Sequence, residues 1–431
     1  MKTYLKNSVI YQVFVRNFTK EGDFKSLTKK LEYIKDLGCN IIQLLPICPI
    51  GIVGRKGTLG SPYAIKDYNE INEEYGSWND FKKLINKTHS LDMKIILDIV
   101  YNHTSRDSKL LNEHPEWFYK DKDGNFANKL GDWSDVYDLD YSSNELQTYL
   151  INSLEKYLSL GVDGFRFDVG SLIPKSFWSN VKNRLLSKYP NTIMLCESID
   201  YSFNLEARRQ GFNGLSDGEF ITNGFDLLYE YNSRNYLNKY FETLDPLYFE
   251  KYKTVLANEY QALPEGGLRI RGYENHDSLR ICELTKNKQL RRNILAYEFF
   301  LDGCSFVCNG LETKQSKHIS LFDKDLMDTH IDKEWFNLVK KLIAIKRNEE
   351  NRDISLSSIS EEKGLYLAIR NDYRTIHKYS LGLFNFSKKE LKIKNPYLLD
   401  GKYKDLISDS ILEVKDNSLV ISEPLILEKI D

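Results

Sequence analysis

Four apolar runs that each end in an acidic side chain constrain the fold of this chain more than any other feature. The runs end, in chain order, at Asp98, Asp168, Glu197 and Asp277. The segments between them have helical periodicity, so strands and helices alternate along the chain. A (β/α)8 barrel builds its active site from side chains at the carboxyl ends of its parallel strands. We therefore predict an α/β fold with a (β/α)8 TIM barrel as its main part.

The run that ends at Asp168 also carries an arginine. It follows residues 145–160, which have the periodicity of a helix, and Gly161, which favours a helix end. Residues two apart in a strand point to the same side, so Arg166 and Asp168 share a face. A carboxylate beside a guanidinium stays ionised at neutral pH. The pattern thus meets the requirement for a nucleophilic carboxylate at Asp168.

The charge balance and the apolar content exclude several classes of protein. Among 431 residues there are 60 lysines and arginines and 62 acidic residues, a net charge of −2, so no nucleic-acid partner is expected. No apolar run reaches the roughly 18 residues of a membrane span, so no membrane partner is expected. The first apolar run contains Gln12 and is not followed by a cleavage site of small residues. We interpret it as a strand rather than a signal peptide.

The six cysteines point to a reducing compartment. They stand mostly in or beside apolar runs and lack the spacing of metal ligands. We expect buried free thiols and hence a cytoplasmic location. The sequence does not indicate the number of subunits.

Apolar periodicity and capping residues place the other elements of the barrel. The first strand is predicted at Val9–Val15 and the first helix at Ser26–Leu37, with Ser26 as its N-cap and Gly38 as its end. Ser77 with Asp80 predicts a capping box for the second helix. The later strands are predicted to end at Asp168, Glu197, about Glu219, Asp277 and Asn309, and the last barrel helix to span Lys333–Arg347.

Two segments depart from the barrel rhythm. Between residues 102 and 140 the alternation stops, and connections this long are usually functional, so we predict a small insert after strand 3 that covers the site. Short alternating stretches such as Ser418–Ile421 predict a C-terminal all-β sandwich domain. The predicted organisation is a first barrel part at 1–101, the insert at 102–140, a second barrel part with the candidate site at 141–349 and the sandwich at 350–431.

Four motifs carry a resemblance to a known family. They are Asp98–His103, Gly164–Asp168, Glu197 with the apolar run before it, and Glu274–Asp277. With these motifs in this order, the chain resembles the α-amylase superfamily of retaining glycoside hydrolases. The resemblance covers nearly the whole chain, and its specificity lies in the combination of motifs rather than in any single one.

The resemblance implies a double displacement at an α-glucosidic bond. Asp168 would be the nucleophile, Glu197 the general acid and base, and Asp277 the carboxylate that stabilises the transition state. Retaining enzymes of this kind place the two reacting carboxyl groups about 5–5.5 Å apart. The implied enzyme is an O-glycosyl hydrolase.

The resemblance also implies the residues that bind the sugar. They are Tyr63, His103, Arg166, His276, Asp98 and Arg280. Within this set, Tyr63 would stack on the sugar ring, Asp98 would brace Arg166, and the two histidines would contact hydroxyl groups. An oligosaccharide substrate is the implied partner.

Departures from the family pattern bear on the substrate. Val169 and Gly170 follow Asp168 where many polysaccharide-cleaving members have Lys-His, and Ala64 stands where many exo-acting α-glucosidases have Asp. We interpret the chain as a hydrolase of mainly α-1,4 bonds in maltooligosaccharides or related short α-glucans. A transglycosylase or an α-glucosidase of the same fold, acting by glucosyl transfer or on α-1,6 bonds, is the alternative. A non-catalytic carbohydrate-binding protein is a remote alternative, because the set of three carboxylates is complete.

The insert is rich in aromatic side chains, namely Trp117, Phe118, Tyr119, Phe126 and Trp133. At the mouth of a barrel such side chains can narrow the cleft, and aromatic faces suit sugar rings. We expect a narrowed cleft that prefers short substrates. The alternative is that these side chains only pack the insert onto the barrel.

No cofactor is required by this chemistry, and no metal ligands are assigned. The strand 1 loop keeps only Gly22 and Asp23 of the family's calcium-binding pattern. Asn102 matches a residue that binds calcium in many members of the family. Bound Ca²⁺ therefore stays an open alternative.

Overall fold

Eight parallel strands close into a barrel in the part of the chain that the structure describes. The structure is a computed structural model, and it describes residues 2–131, 133–347, 354–361, 366–373 and 378–430. The barrel strands are β1 (Val9–Val13), β2 (Ile41–Leu44), β3 (Lys94–Val100), β6 (Gly164–Asp168), β7 (Ile193–Cys196), β8 (Leu227–Leu228), β9 (Leu268–Arg271) and β10 (Cys304–Cys308). Their order around the barrel is β1-β10-β9-β8-β7-β6-β3-β2. The predicted TIM barrel is confirmed.

Helices cover the outside of the barrel. They are α1 (Val15–Phe18), α2 (Phe24–Leu37), α3 (Trp78–Ser90), α4 (Lys109–Glu113), α5 (Asn144–Ser159), α6 (Lys175–Val181), α7 (Tyr201–Arg209), α8 (Asp217–Thr222), α9 (Tyr231–Thr243), α10 (Pro246–Ala262), α11 (Ile281–Leu284), α12 (Lys288–Phe300) and α13 (Lys333–Arg347). In α2, Leu27, Leu31 and Ile34 are buried on one face, and Gly38 follows the helix with a φ of 106°, which glycine adopts at no steric cost. Among the described helices, none combines the length and the apolarity that crossing a membrane requires.

The interior of the barrel forms an apolar core of its own. Ile10, Ile41, Ile96, Ile193 and Leu227 belong to it, and each is 0% exposed. A second, larger core fills the layer between the strands and the helices. Burial on both faces explains why the barrel strands are continuous apolar runs rather than alternating ones.

Two predicted boundaries are wrong for reasons of local hydrogen bonding. α2 begins at Phe24 because its N-cap is Asp23, whose side chain accepts a hydrogen bond from Ser26 N–H at 2.8 Å. The predicted cap, Ser26, is the third helical residue of that capping box. The strand end predicted near Glu219 is also wrong. Glu219 lies in α8 and caps its first turn, and the strand is β8, which begins eight residues later at Leu227.

Two strands end earlier than predicted. β1 ends at Val13, and the chain turns into α1 at Val15. β9 ends at Arg271, and at the next residue the backbone passes so close to β10 that a Cβ on Gly272 would lie 2.5 Å from Phe306 O. The motif Glu274–Asp277 therefore stands on the loop after β9 and not on the strand.

A small two-stranded sheet follows β3 in the segment predicted as the insert. β4 (His103–Ser105) pairs antiparallel with β5 (Val136–Asp138), with His103 opposite Asp138. α4 and a 3-10 turn, Pro115–Trp117, lie between the two strands. This sheet carries the residues before β5 to the carboxyl end of the barrel.

The C-terminal part of the chain is all-β. Its strands are β11 (Ile354–Glu361), β12 (Tyr366–Tyr373), β13 (Lys378–Asn385), β14 (Leu391–Lys394), β15 (Gly401–Asp405), β16 (Ile411–Val414), β17 (Ser418–Ile421) and β18 (Leu425–Lys429). A six-stranded sheet in the order β11-β12-β13-β18-β15-β16 and the pair β14-β17 share one core, with Leu381 and Leu427 from the first and Ile393 and Ile421 from the second. The predicted all-β domain is confirmed. The boundary predicted between residues 349 and 350 lies outside the described residues.

The six cysteines are buried free thiols, as the sequence predicts. Cys196 and Cys308, for example, are the last residues of β7 and β10. Burial raises the pKa of both thiols, which keeps them in the unreactive protonated form.

Candidate active site

One buried arginine contacts three carboxyl groups at the carboxyl end of the barrel. Nη1 of Arg166, on β6, donates to Asp98 Oδ1 and to Asp168 Oδ1, both at 2.8 Å. Its Nη2 lies 3.0 Å from Glu197 Oε2. Because β3, β6 and β7 are neighbours in the barrel, their ends bring these four residues together. Asp168 and Glu197, the predicted nucleophile and the predicted general acid and base, thus both contact the guanidinium of Arg166.

The charges of this cluster affect its protonation. Burial raises the pKa of Asp168 well above its ordinary value, and the carboxyl groups of Glu197 and Asp98 add to this effect, while Arg166 opposes it. Burial also raises the pKa of Asp98. The expectation from sequence considered Arg166 alone, whereas the structure shows one buried guanidinium shared by three carboxyl groups. Such a group retains a proton more readily than a single ion pair does.

Glu197 is held through both of its oxygens. Oε2 accepts a hydrogen bond from Val169 N–H at 2.9 Å, besides its contact with Arg166. Oε1 accepts one from the Tyr231 hydroxyl at 3.0 Å, and Asn275 Nδ2 lies 3.4 Å from that same hydroxyl. Glu197 is therefore fixed by donors on either side. Oε2 accepts from Val169 N–H and also faces the Arg166 charge, which leaves Oε1 as the oxygen better placed to exchange a proton.

The donor at Val169 comes from an unusual backbone conformation. Val169 has φ 45° and ψ 37°, the left-handed region, which a β-branched residue rarely adopts. Such conformations cost on the order of 1–3 kcal/mol and persist where the surroundings impose them. Here the conformation directs the N–H group that follows the nucleophile toward Glu197.

Asp277 and His276 form a second polar group of the site. His276 Nε2 lies 2.9 Å from Asp277 Oδ2 and 2.7 Å from the Tyr63 hydroxyl. Gln12 Nε2 lies 3.2 Å from Nδ1 of the same ring, so the amide donates to Nδ1 and the imidazole carries its proton on Nε2. Partial burial raises the pKa of Asp277, but its contact with His276 outweighs this and lowers the pKa to about 2. Asp277 is therefore negatively charged, and 53% of its side chain is exposed to the cleft.

Tyr63 connects the two polar groups. Its hydroxyl donates to Asp98 Oδ2 at 3.0 Å and contacts His276 Nε2. Its ring stacks on the His276 ring, with centroids 5.2 Å apart and planes at 12°. The stacking and the two hydrogen bonds fix the ring at the wall of the cleft.

His103 presents a neutral imidazole beside the nucleophile. Asn102 Nδ2 donates to His103 Nδ1 at 3.2 Å, which places the imidazole proton on Nε2. Nε2 lies 4.0 Å from Asp168 Oδ2. Burial lowers the pKa of His103, so the ring stays neutral. It can donate a hydrogen bond to a hydroxyl group bound above Asp168.

A cavity of about 320 Å³ opens between these groups. Its lining residues are Lys56, Ser61, Tyr63, His103, Trp133, Asp135, Val136, Asp168, Val169, Glu197, His276, Asp277, Leu321 and Phe322. The three carboxylates with predicted catalytic roles all line it, together with Tyr63, His103 and His276. The volume is at the lower end of the range of about 300–1,000 Å³ for ligand sites.

Three of the residues predicted to bind substrate stand behind the wall of this cavity. Asp98 and Arg166 are buried beneath the reacting carboxyl groups, where they position Asp168 and Glu197. Arg280 donates to Glu274 Oε2 at 2.8 Å and to Asn309 O at 3.0 Å, also away from the cavity. The structure thus places these three residues outside the lining of this cavity.

The sequence did not point to several residues of the site. Tyr231 follows β8 closely, whereas the sequence predicts the end of that strand near Glu219, so it gives no signal for Tyr231. A correct β8 would have signalled it. Lys56, Asp135 and Phe322 stand on long connections without periodicity, so the sequence carried no signal for them.

Only part of the aromatic set of the insert faces the cleft. Trp133 lines the cavity, and its ring lies 5.5 Å from that of His103. Trp117 and Phe118 are 4% and 3% exposed and belong to the main core, where Trp117 stacks on His114. The expectation that these aromatics narrow the cleft therefore applies to Trp133, and Trp117 packs the insert onto the barrel.

The residues that match the family's calcium pattern do not fit a calcium ion. Asn102 Nδ2 donates to Asp138 Oδ1 at 3.2 Å, and Lys129 N–H donates to Oδ2 of the same carboxylate at 2.9 Å. The Lys129 ammonium donates to Leu139 O at 2.6 Å, so a positive charge already stands in this group. Asp23 is engaged as the N-cap of α2. Within the described ranges, no three His, Cys, Asp or Glu side chains converge as metal ligands would.

Comparisons with known proteins agree with the fold. The family model described as alpha amylase, catalytic domain, matches residues 9–127 and 111–395, and the model of the bacterial alpha amylase C-terminal domain matches residues 367–427. Alpha-amylase 2 of Dictyoglomus thermophilum is 25% identical, over 94% of this chain and 73% of that protein.

Two solved structures superimpose over almost the whole chain. An α-amylase from Lactobacillus plantarum is 39% identical, with a TM-score of 0.90 and all of both chains covered. A maltogenic α-amylase from Thermotoga neapolitana is 30% identical, with a TM-score of 0.86 and 99% of each chain covered. The shared sequence, the shared fold and the carboxyl cluster on Arg166 all lead to one conclusion. The chain belongs to the α-amylase family of glycosidases.

Proposed function

We propose that this enzyme hydrolyses mainly α-1,4-glucosidic bonds in maltooligosaccharides and related short α-glucans, with retention of configuration. The observation that carries the proposal is the position of Asp168 and Glu197 on neighbouring nitrogens of Arg166, at the floor of a small cavity. Two carboxyl groups held this closely suit direct attack by one of them. They leave little room for the additional water that an inverting enzyme places between substrate and base.

The first step breaks the glycosidic bond and forms a bond to the enzyme. Asp168 Oδ2 attacks the anomeric carbon, since Oδ1 is held by Arg166. Glu197 gives its proton to the leaving oxygen, and Oε1 is the oxygen suited to this because Oε2 is occupied by Val169 N–H. Asp277 carries its negative charge to the developing oxocarbenium ion, which it stabilises electrostatically.

The second step releases the sugar. Glu197, now a carboxylate, takes a proton from water, which attacks the anomeric carbon and frees Asp168. His103 carries a proton on Nε2 and can hold a hydroxyl group of the bound ring throughout, while the Nε2 proton of His276 is directed to Asp277 and Tyr63. Arg166 holds Asp168 in position both when it attacks the anomeric carbon and when it is released from it.

The size of the cavity supports a short substrate. Its volume of about 320 Å³ suits a short sugar segment, and Trp133 stands at its wall. The α-amylase relatives support the α-1,4 linkage, and the maltogenic relative fits the release of short products. The buried free cysteines support a cytoplasmic location for the enzyme.

The stereochemistry of the first product tests the proposal. Proton NMR of an early maltotriose digest should show the α-anomer at the newly formed reducing end, before mutarotation mixes the anomers. The β-anomer as first product would contradict the double displacement. The same digest with added maltose as acceptor separates hydrolysis from glycosyl transfer, because only transfer yields longer oligosaccharides.

A second test addresses the nucleophile itself. Asp168→Asn has nearly the same shape but cannot form the ester intermediate, so turnover of maltotriose should fall by at least about 10⁴-fold. The melting temperature should stay close to that of the native enzyme, which shows that the fold is intact. Activity within tenfold of the native value would require another nucleophile.

A further inference from the structure

We propose that an ion pair between Lys56 and Asp135 closes the donor end of the cleft and limits the number of sugar units bound on that side of the cleaved bond. The inference rests on the proposed function and names the residues that set the length of its products. Both side chains line the catalytic cavity, and they come from two different connections of the barrel.

The order of the barrel strands identifies the donor end. Asp168 ends β6, which lies between β7 on one side and β3 on the other. Glu197 follows β7, so the leaving group departs on that side. The donor sugars therefore extend from Asp168 toward β3 and β2, where Tyr63 and His103 stand. The ion pair lies on this side, since Lys56 follows β2 and Asp135 belongs to the insert after β3.

Lys56 and Asp135 form a direct ion pair. Lys56 Nζ lies 3.1 Å from Asp135 Oδ1. The Asp135 side chain is 6% exposed, whereas that of Lys56 is 37% exposed. A carboxylate this buried needs a partner, and the lysine reaches it from the solvent side of the cavity. Trp133, two residues before Asp135, contacts His103 and so continues the same wall down to the nucleophile.

The connection that carries Lys56 is held in place by a third segment. Thr58 N–H and its hydroxyl donate to Asp323 Oδ1 at 2.8 and 2.7 Å, and Leu59 N–H donates to Phe322 O at 2.9 Å. Gly57 has a φ of +63°, and a Cβ there would lie 2.6 Å from Phe322 Cβ. Only glycine permits this close approach.

Three segments thus meet at the donor end of the cleft. The wall consists of Lys56 from the connection after β2, Asp135 from the insert, and Phe322 from the connection after β10. Replacing Asp135 by asparagine removes the ion pair without leaving a buried charge unpaired, so this variant should keep the fold. Its effect should instead appear in which sugars fit.

Product lengths from a labelled substrate test the inference. Maltoheptaose with a fluorophore at its reducing end yields unlabelled products from the donor side and labelled products from the acceptor side. The native enzyme should release short unlabelled products of narrow size distribution. Lys56→Ala and Asp135→Asn should each raise the share of longer unlabelled products severalfold, and Asp135→Asn, which leaves no unpaired buried charge, should keep the native melting temperature.

Two further variants serve as controls. Lys87→Ala removes an exposed ion pair with Glu32 between α3 and α2, far from the cleft, and should leave the products unchanged. The exchanged pair Lys56→Asp with Asp135→Lys should restore short products if the contact itself closes the cleft. If Asp135→Asn does not fold, Lys56→Ala and the exchanged pair test whether the ion pair sets product length.

The outcomes separate this inference from the proposed function. If the native enzyme cleaves maltoheptaose and both single variants give the same product distribution as the native enzyme, the ion pair does not set product length and the inference is overturned. If the native enzyme does not cleave maltooligosaccharides at all, the proposed function fails first.

Discussion

At the scale of single residues, Arg166 organises the site. One guanidinium contacts the predicted nucleophile, the predicted acid and base, and Asp98, and it does so from full burial. The spacing of Arg166 and Asp168 on one strand made their contact predictable, because alternate residues of a strand share a face. The contact with Glu197 was not predictable in this way, since it depends on which strands become neighbours.

Replacing Asp98 with asparagine should shift the pH dependence of the enzyme. The negative charge of Asp98 raises the pKa of Asp168, so its removal should lower that pKa. Asp168 then stays ionised to lower pH, and the acidic limb of the kcat/KM profile should move to lower pH. The value of kcat should fall about tenfold, because Arg166 loses one of its anchors.

The pH profile of kcat/KM on maltotriose measures both effects. Asp123→Asn, an exposed position in the insert, is the matched control and should leave the profile unchanged. An acidic limb that moves to higher pH in Asp98→Asn would show that the charge of Asp98 does not act on Asp168 as described.

Tyr231 should act as a positioning residue for Glu197. Tyr231→Phe removes the hydroxyl that lies 3.0 Å from Glu197 Oε1. The kcat on maltotriose should fall about tenfold with little change in KM, because proton transfer to the leaving oxygen becomes less well oriented. On α-glucosyl fluoride, whose leaving group needs no proton, the loss should be much smaller.

The contrast between the two substrates distinguishes this role from a structural one. Tyr201→Phe, at a tyrosine that is 52% exposed, is the control and should leave both rates unchanged. Equal losses on maltotriose and on the fluoride would mean that Tyr231 supports the site as a whole and does not act through proton transfer.

At the scale of elements, the Ser77 capping box and Gly38 were reliable signals, whereas the predicted cap at Ser26 was not. The capping box of Ser77 and Asp80 starts α3, and Gly38 ends α2, both as predicted. Strand ends were harder to predict. β8 has only two residues, too few for a pattern, and β9 stops where Gly272 passes close to β10. The conformation of Val169 had no sequence signal, because a β-branched residue is not expected in the left-handed region.

The insert should be held by hydrogen bonds and a lysine rather than by calcium. The Lys129 ammonium donates to Leu139 O, and its backbone N–H binds Asp138. Lys129→Met should lower the free energy of unfolding by about 1–3 kcal/mol, because a buried acceptor loses its donor. A chelator should change the melting temperature and the activity of the native enzyme little.

Thermal unfolding of native enzyme and variants with EDTA or with added CaCl₂ tests this expectation. Lys122→Met, at an exposed lysine of the same segment, is the matched control and should leave stability unchanged. A large drop in melting temperature with EDTA that calcium restores would reveal a bound ion, since a ligand of the native state stabilises it by mass action.

At the scale of the whole molecule, the C-terminal sheet is joined to the barrel by aromatic side chains. Phe386, which follows β13, is 1% exposed and lies against Phe241, Phe249 and Tyr297 of α9, α10 and α12. The backbone N–H of the preceding residue donates to Asn293 Oδ1 on α12 at 2.7 Å. The presence of both domains was predictable from periodicity, but this interface was not. It is formed by residues far apart in the chain whose contacts depend on the completed fold.

The aromatic contacts of Phe386 should couple the stability of the two domains without taking part in catalysis. Phe386→Ala leaves a cavity between α9, α10, α12 and the sheet, so the free energy of unfolding should fall by about 3–5 kcal/mol. The kcat/KM on maltotriose, measured well below the melting temperature, should stay close to the native value, because the interface lies on the outer side of the helices and the carboxyl cluster is held by β3, β6 and β7.

Ile411→Ala, at a side chain that is 64% exposed in the same sheet, is the control and should change stability by less than about 0.5 kcal/mol. Calorimetry together with kinetics decides the matter: a stable but inactive Phe386→Ala would mean that the C-terminal sheet acts on the active site, and an unchanged melting temperature would mean that the aromatic contacts do not hold the two domains together.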